Sequence, residues 1–161
     1  QQGDIAKVNI DKSFDAVISL FHVMSYQISN DQIKSVFKNA AKHLSTDGIF
    51  IFDIWYSPAV NYQKPSVRVK RFKNKQTNIV RIAEPNYNPN ENLVDVNFVK
   101  NLVTGFTDSF RETHSMRHFS LPEIDILAEM SGFQRVDAHE FLSKKSPSEN
   151  SWGVCIILKK K

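Results

Sequence analysis

The sequence is poor in cysteine and glycine and has no long apolar run, and these shortages exclude several classes of protein. With Cys155 as its single cysteine, the chain cannot hold an internal disulfide framework or a cysteine-rich zinc site. The apolar neighbours of Cys155 indicate a buried structural thiol, and a reducing cytoplasm is the expected location. No apolar stretch reaches the roughly 20 residues that span a bilayer, and the first residues do not resemble a signal peptide. We therefore expect no membrane partner.

The composition is that of one globular domain, with 161 residues, 41% hydrophobic side chains and a net charge of +4. Much of the positive excess lies at residues 68–73 and 159–161. The first of these segments alternates basic and apolar residues, as a half-exposed strand does, and the second is typical of a solvated tail. The charge therefore gives no reason to expect nucleic acid as a partner.

Apolar periodicity near the start of the chain predicts a βαβ unit. Residues 14–21 and 49–54 are near-continuous apolar runs of strand length, typical of buried parallel strands. Between them, residues 33–44 carry apolar side chains at helical spacing, with Ser29 or Asn30 as the N-cap. Gly48 is expected to take a positive φ where this helix ends. The two strands should therefore be parallel.

The middle of the chain has a different pattern, in which strand-like segments alternate with turn residues. The predicted strands are 66–73, 76–84, 93–103 and 107–118, and the predicted turns are Asn74–Lys75, 85–90 and Thr104–Gly105. After them, a helix is predicted from Ser120 to Gly132, followed by strands at 136–142 and 152–158. We predict a single partial α/β domain, with residues 1–58 and 120–161 as the core and 66–119 as an inserted antiparallel β meander.

The order of these segments resembles the C-terminal part of a class I S-adenosylmethionine (SAM)-dependent methyltransferase. The matching parts are Gly3-Asp4-Ile5, Phe14-Asp15-Ala16-Val17, the helix end at 44–48, the strand at 49–54 and Ser131-Gly132-Phe133. The likeness covers nearly the whole chain, and the order and spacing of the segments carry it more than any one motif. It implies the C-terminal half of a Rossmann-like sheet.

A narrower likeness is to the aminosugar N-methyltransferases, which act on nucleotide-linked amino-deoxy sugars. It rests on residues 21–26 after the first strand, on residues 53–58 after the second strand, and on the meander that follows. It implies transfer of a methyl group from SAM to a small-molecule acceptor, with an amino group as a candidate site of methylation.

The resemblance also assigns roles to individual residues. Asp4 and Ile5 would hold the adenine of SAM, whereas Phe21, His22 and Val23 would line its methionine end. Tyr26, Trp55 and Tyr56 would face the acceptor, and ordinary packing is the alternative for Trp55 and Tyr56. His22 is the candidate catalytic base, since a neutral imidazole takes up a proton near physiological pH, and the alternative is that it only lines the pocket. No metal site is expected, because His114 and His118 are far apart on a strand.

The chain departs from the family pattern because the Gly-rich cofactor loop is absent. None of its 5 glycines forms a Gly-x-Gly cluster, and the acidic residue that ends the family's second strand is also absent. Such a loop brings the backbone close to the cofactor beside a helix N-terminus. We therefore expect an incomplete fragment that binds SAM weakly or not at all by itself, and the first residue, Gln1, favours truncation. The alternatives are a non-catalytic binding module and one half of a split methyltransferase.

The incomplete sheet has a consequence for association. The family's missing strands would lie against the strand at 14–21, so the edge between Phe14 and Phe21 would be open. Exposed apolar edges recruit other chains. We therefore expect the protein to form an oligomer, through this edge or through the adjoining apolar face.

Overall fold

The computed structural model describes residues 2–73, 78–104 and 106–161. They form an eight-stranded sheet with three α-helices and a short 3₁₀ helix. The strands are β1 (Phe14–Ser19), β2 (Leu44–Tyr56), β3 (Arg68–Lys73), β4 (Asn78–Asn88), β5 (Leu93–Thr104), β6 (Phe106–Phe119), β7 (Phe133–Glu140) and β8 (Gly153–Lys160). The helices are α1 (Asn30–His43), α2 (Ser57–Gln63) and α3 (Leu121–Met130), and the 3₁₀ helix is Val23–Tyr26.

The long strand β2 organises the sheet. The strand order is β3-β4-β5-β6-β2-β8-β7, and β1 also pairs with β2. β1 runs parallel to β2, as predicted, and its last paired residue, Ser19, lies opposite Phe52. Further along the same edge, Trp55 and Tyr56 of β2 pair in parallel with the end of β6. The last strand of the meander therefore joins β2 on the edge that β1 occupies. It does so past the carboxyl end of β1 and at the carboxyl end of β2.

The start of α1 follows the sequence prediction closely. The Ser29 hydroxyl accepts the Gln32 N–H at 3.2 Å, and the Gln32 side chain accepts the Ser29 N–H at 3.0 Å. This capping box satisfies two donors that a helix start leaves free. The prediction for the helix end was wrong in one detail, because Asp47 has the positive φ of 63°. Gly48 is needed for space instead, since a Cβ there would lie 2.9 Å from the Ser45 carbonyl oxygen.

The meander is antiparallel throughout its described part, as predicted. The expected turn at 85–90 was placed too early, because β4 continues to Asn88 and Pro85 pairs with Val96 of β5. β3 begins at Arg68, opposite Ala83, so β4 beyond Ala83 has no partner in β3 and tolerates a proline. The turns predicted at Asn74–Lys75 and at Gly105 lie outside the described residues.

The core lies between β2, β8 and the two longer helices. The ring of Phe37 on α1 meets Phe50, Phe52 and Phe133 edge-to-face, with centroid distances of 5.8, 5.6 and 6.4 Å. Ser120 caps α3, and Gly132, with φ 79°, follows its end, as predicted. Within the described ranges, no helix is long and apolar enough to cross a membrane.

Candidate functional site

A cavity of about 670 Å³ lies between the carboxyl ends of β1 and β2 and the inner face of the meander. Four of the predicted site residues line it: Phe21, His22, Tyr26 and Trp55. Ligands of parallel α/β sheets bind beyond the carboxyl ends of the strands, so this is the expected place for a site. The meander forms the opposite wall.

His22 is held at the wall of this cavity by an unusual backbone conformation and a buried carboxylate. Phe21 and His22 have φ values of 64° and 63°, a region that is costly for residues with a Cβ. The fully buried Asp53 accepts the backbone N–H of His22 with both oxygens, at 3.0 and 3.1 Å. Nδ1 of His22 lies 2.7 Å from Oδ2 of Asp53. These contacts offset the cost of the turn.

Trp55 and Tyr56 are neighbours at the end of β2, and their side chains point to opposite faces of the sheet. Trp55 lines the cavity, and its ring centroid lies 5.5 Å from that of Trp152. Tyr56 packs against the hydrophobic core on the other face. The structure therefore brings Trp55 together with His22 and Tyr26, whereas Tyr56 lies away from them.

A chain of polar groups crosses the cavity wall from the 3₁₀ helix to the meander. The Tyr26 hydroxyl lies 2.7 Å from Nδ1 of His114. Nε2 of His114 is 3.3 Å from Glu112, whose carboxylate accepts a hydrogen bond from Lys100 at 2.5 Å. Lys100 thereby lowers the pKa of Glu112. Sequence reasoning missed this chain, although the alternation of Glu112, His114 and Met116 along a strand signals a shared face.

Three cations lie directly opposite one another on neighbouring strands. Lys70 of β3 pairs with Arg81 of β4, and Arg81 pairs with Lys100 of β5. Like charges in such positions repel, and Glu112 offsets the charge of Lys100 at one end of the row. Lys70 and Arg81 line the cavity together with Arg68, and Glu112 is the one carboxylate among the described lining residues. Nε of Arg81 is buried without a hydrogen-bond partner.

A second cavity, of about 330 Å³, lies beside β1 and the N-terminal segment. Ile5 and Val23 line it, whereas Asp4 lies in an exposed turn, where its carboxylate accepts the Ala6 N–H at 2.8 Å. Two of its polar side chains are already engaged, because Asn39 donates to the Ile5 carbonyl and His43 accepts the Ile10 N–H. The buried Ser19 hydroxyl, which also lines it, has no hydrogen-bond partner among the described residues. Its walls are otherwise largely apolar.

The sequence matches no protein-family model and no curated protein. Solved structures do match. A SAM-dependent methyltransferase from Clostridium acetobutylicum superposes with a TM-score of 0.82 and 22% identity, over 98% of this chain and 63% of that chain. A sugar N-methyltransferase from Streptoalloteichus superposes with a TM-score of 0.81 and 13% identity, over 99% of this chain and 61% of that chain.

An amino pentose methyltransferase from Micromonospora echinaspora gives a TM-score of 0.77 and 13% identity, over 99% of this chain and 63% of that chain. The chain thus spans less than two thirds of the length of these structures. The prediction of a Rossmann-like class I methyltransferase fold with an antiparallel meander is confirmed.

Proposed function

We propose that this chain forms the acceptor-binding part of a SAM-dependent methyltransferase that methylates an amino group on an anionic small molecule. The observation that carries the proposal is the cavity at the carboxyl ends of β1 and β2, which His22 and Trp55 line together with Arg68, Lys70 and Arg81. The fold is shared with enzymes described as an amino pentose methyltransferase and a sugar N-methyltransferase. A nucleotide-linked amino sugar is therefore the proposed class of acceptor.

Binding of such an acceptor would use charge at one end of the cavity and aromatic surface at the other. Lys70 and Arg81, with Arg68 beside them, would pair with the phosphates. The rings of Trp55 and Trp152 would pack against the sugar or base. Substrate-binding roles for Tyr26 and Trp55 agree with this arrangement, whereas Tyr56 would act through packing of the core.

His22 is the proposed catalytic base. An amine that is protonated in solution has no lone pair with which to form a bond to carbon. Transfer of one proton from that ammonium group to the imidazole of His22 leaves a neutral amine ready for methylation. SAM supplies the electrophilic methyl group when it is bound. The cavity walls orient the amine and exclude water.

We further propose that this chain alone binds SAM weakly or not at all, because the described residues do not fit the whole cofactor. Asp4 is engaged in a local turn, and the walls beside Ile5 and Val23 are largely apolar. Isothermal titration calorimetry with SAM and the 161-residue chain tests this point. Micromolar affinity would contradict it and would mean that these residues suffice for the cofactor.

The acceptor site can be tested without the cofactor, with a nucleoside diphosphate as the probe. We expect Arg81→Gln to weaken binding about tenfold or more, which corresponds to about 1.4 kcal/mol. The matched control is Arg71→Gln, an identical charge change at an exposed residue on the opposite face of β3. Equal losses in the two variants would indicate non-specific attraction and would contradict the site.

The reaction itself requires the longest natural polypeptide that contains these residues. Transfer of a labelled methyl group from SAM to a nucleotide-linked amino sugar is expected, with the label recovered on nitrogen. Recovery on oxygen or carbon would contradict the proposed chemistry.

A reducing cytoplasm is the proposed location, since Cys155 is a buried free thiol whose pKa is raised by burial.

A further inference from the structure

We infer that Asp53 and Gly153 are positioning residues, which hold His22 as a single tautomer with Nε2 free to accept a proton from the cavity. The inference rests on the proposed function, in which His22 is the base. It adds two residues that need not touch the acceptor and that act through the imidazole.

Asp53 is placed where its carboxylate requires donors. It lies in the middle of the sheet, opposite Cys155 of β8, and is fully buried. A buried carboxylate is costly unless hydrogen bonds compensate for lost water. Both of its oxygens accept the backbone N–H of His22. The turn after β1 therefore stabilises the buried charge of Asp53, and Asp53 stabilises the positive-φ backbone of that turn.

The same carboxylate determines which ring nitrogen of His22 carries the proton. Nδ1 is buried, lies 2.7 Å from Oδ2 of Asp53 and makes no hydrogen bond of good linear geometry. At this separation, lone pairs on both atoms would repel each other, so the proton remains on Nδ1. A neutral imidazole protonated at Nδ1 has its lone pair on Nε2. The side chain is 31% exposed, so the part of the ring that carries Nε2 faces the cavity.

Gly153 provides the space that this ring position needs. It is the first residue of β8 and pairs with Trp55. A Cβ at this position would lie 3.2 Å from Cε1 of His22 and 3.3 Å from Cβ of Phe141, closer than ordinary packing allows. A side chain at position 153 would therefore require the imidazole of His22 or the side chain of Phe141 to shift by a few tenths of an ångström.

His22 is better suited to accept a proton than the other histidine in the cavity. Nδ1 of His114 is engaged by Tyr26, and its Nε2 lies 3.3 Å from Glu112. Among the described residues, no side chain is hydrogen-bonded to Nε2 of His22. The structure thus leaves one imidazole nitrogen of the cavity available to a ligand.

The tautomer can be measured directly by long-range ¹H–¹⁵N correlation spectra of the ¹⁵N-labelled chain at mildly alkaline pH. We expect Nδ1 of His22 to be protonated and Nε2 to show the resonance of an unprotonated nitrogen. In Asp53→Asn, the amide oxygen would face the backbone N–H and the NH₂ group would face Nδ1. The proton should then move to Nε2. Nε2 should show the resonance of a protonated nitrogen and Nδ1 that of an unprotonated one.

The matched control is Asp15→Asn, which neutralises an exposed carboxylate on β1 and should leave the His22 tautomer unchanged. Gly153→Ala should shift the ring resonances of His22 and leave those of His114 in place. A wild-type His22 protonated at Nε2 would overturn the inference, even if Asp53→Asn does not fold. An unchanged tautomer in a folded Asp53→Asn variant would also overturn it.

These spectra need neither SAM nor an acceptor, so their outcome is separate from that of the proposed function. In the longest natural polypeptide, Asp53→Asn should lower kcat by roughly 100-fold or more, because proton transfer is impaired. KM for the acceptor should change little, since Asp53 is buried away from it. A loss confined to KM would assign Asp53 to binding and would contradict the inference.

Discussion

The hydroxyl of Tyr26 lies 2.7 Å from Nδ1 of His114, and this contact joins the 3₁₀ helix after β1 to the meander. The two side chains are 88 positions apart in the sequence and lie on one wall of the cavity. The contact thus links the α/β part of the chain to the antiparallel strands. Its removal should affect both stability and the shape of the cavity.

Replacement of Tyr26 by Phe keeps the ring and removes this hydrogen bond. Because the pair is partly exposed, we expect the free energy of unfolding to fall by about 1 kcal/mol or less. Urea denaturation measures the change. Tyr62→Phe, at an exposed position on α2, is the matched control and should have no measurable effect. Equal values for the two variants would contradict the role of the contact.

Ser25 should matter more for stability than its size indicates. Its hydroxyl is buried and accepts the backbone N–H of Trp55 at 3.0 Å. Ser25→Ala leaves that N–H without a partner, so we expect a loss of about 1–3 kcal/mol in the free energy of unfolding. Ser35→Ala, on the exposed face of α1, is the control and should cost much less. A loss at Ser25 no larger than at Ser35 would show that water replaces the hydroxyl.

His118 should make stability depend on pH. It is fully buried, with Nδ1 2.8 Å from the Ser57 hydroxyl, and the ring of Tyr87 lies 6.0 Å away. Burial, followed by repulsion from Arg117, lowers the pKa of His118 from 6.5 to about 4. Between these values the unfolded chain binds the proton and the folded chain does not. Stability should therefore decrease as pH falls from 6.5 towards 4, by at most about 3 kcal/mol.

Urea denaturation at several pH values in this window tests the effect of His118. The variant His118→Gln cannot titrate, so its stability should depend less steeply on pH than that of the wild type. A slope equal to the wild-type slope would assign the pH dependence to other groups. Well above pH 6.5, His118 is neutral in the folded and in the unfolded chain, so the residue should contribute no slope there.

Self-association through the strand edge at 14–21 stays a prediction. β1 pairs with β2 on one side, and the side chains of Ile18 and Phe21 are 60% and 76% exposed. Lysine on an edge strand opposes pairing with another chain. We expect Ile18→Lys to shift the protein towards the monomer in sedimentation velocity. Ile126→Lys on α3, where the isoleucine is also 60% exposed, should leave the assembly unchanged.

Two results would contradict that prediction. A monodisperse wild-type monomer at micromolar concentration would exclude association in this range. A dimer that survives Ile18→Lys and dissociates in Ile126→Lys would place the interface on α3 instead of the open edge.

Much of the fold follows from local sequence patterns. The capping box at Ser29, the end of α3 before Gly132 and the buried strands β1 and β2 depend on residues close together in the chain. Helical and strand periodicity record which side chains face the core, so these elements are predictable. The short helix α2 was missed, because seven residues carry too little periodicity to identify a helix.

The candidate site depends far less on local patterns. The sequence indicates that residues at the carboxyl ends of β1 and β2 meet at one end of the sheet, and His22 and Trp55 do so. Contacts between Asp53 and His22, or between Tyr26 and His114, join residues 31 and 88 positions apart. Such pairs arise from strand register, which is a property of the whole sheet.

Local chemistry along the chain therefore decides which segments become helices and strands, and which residues end them. The tertiary structure alone decides that Tyr56 turns away from the cavity, that three cations share one row, and that a buried carboxylate holds an imidazole. The physical reason is that alternation defines two faces for a strand, whereas only its pairing with other strands defines what each face meets.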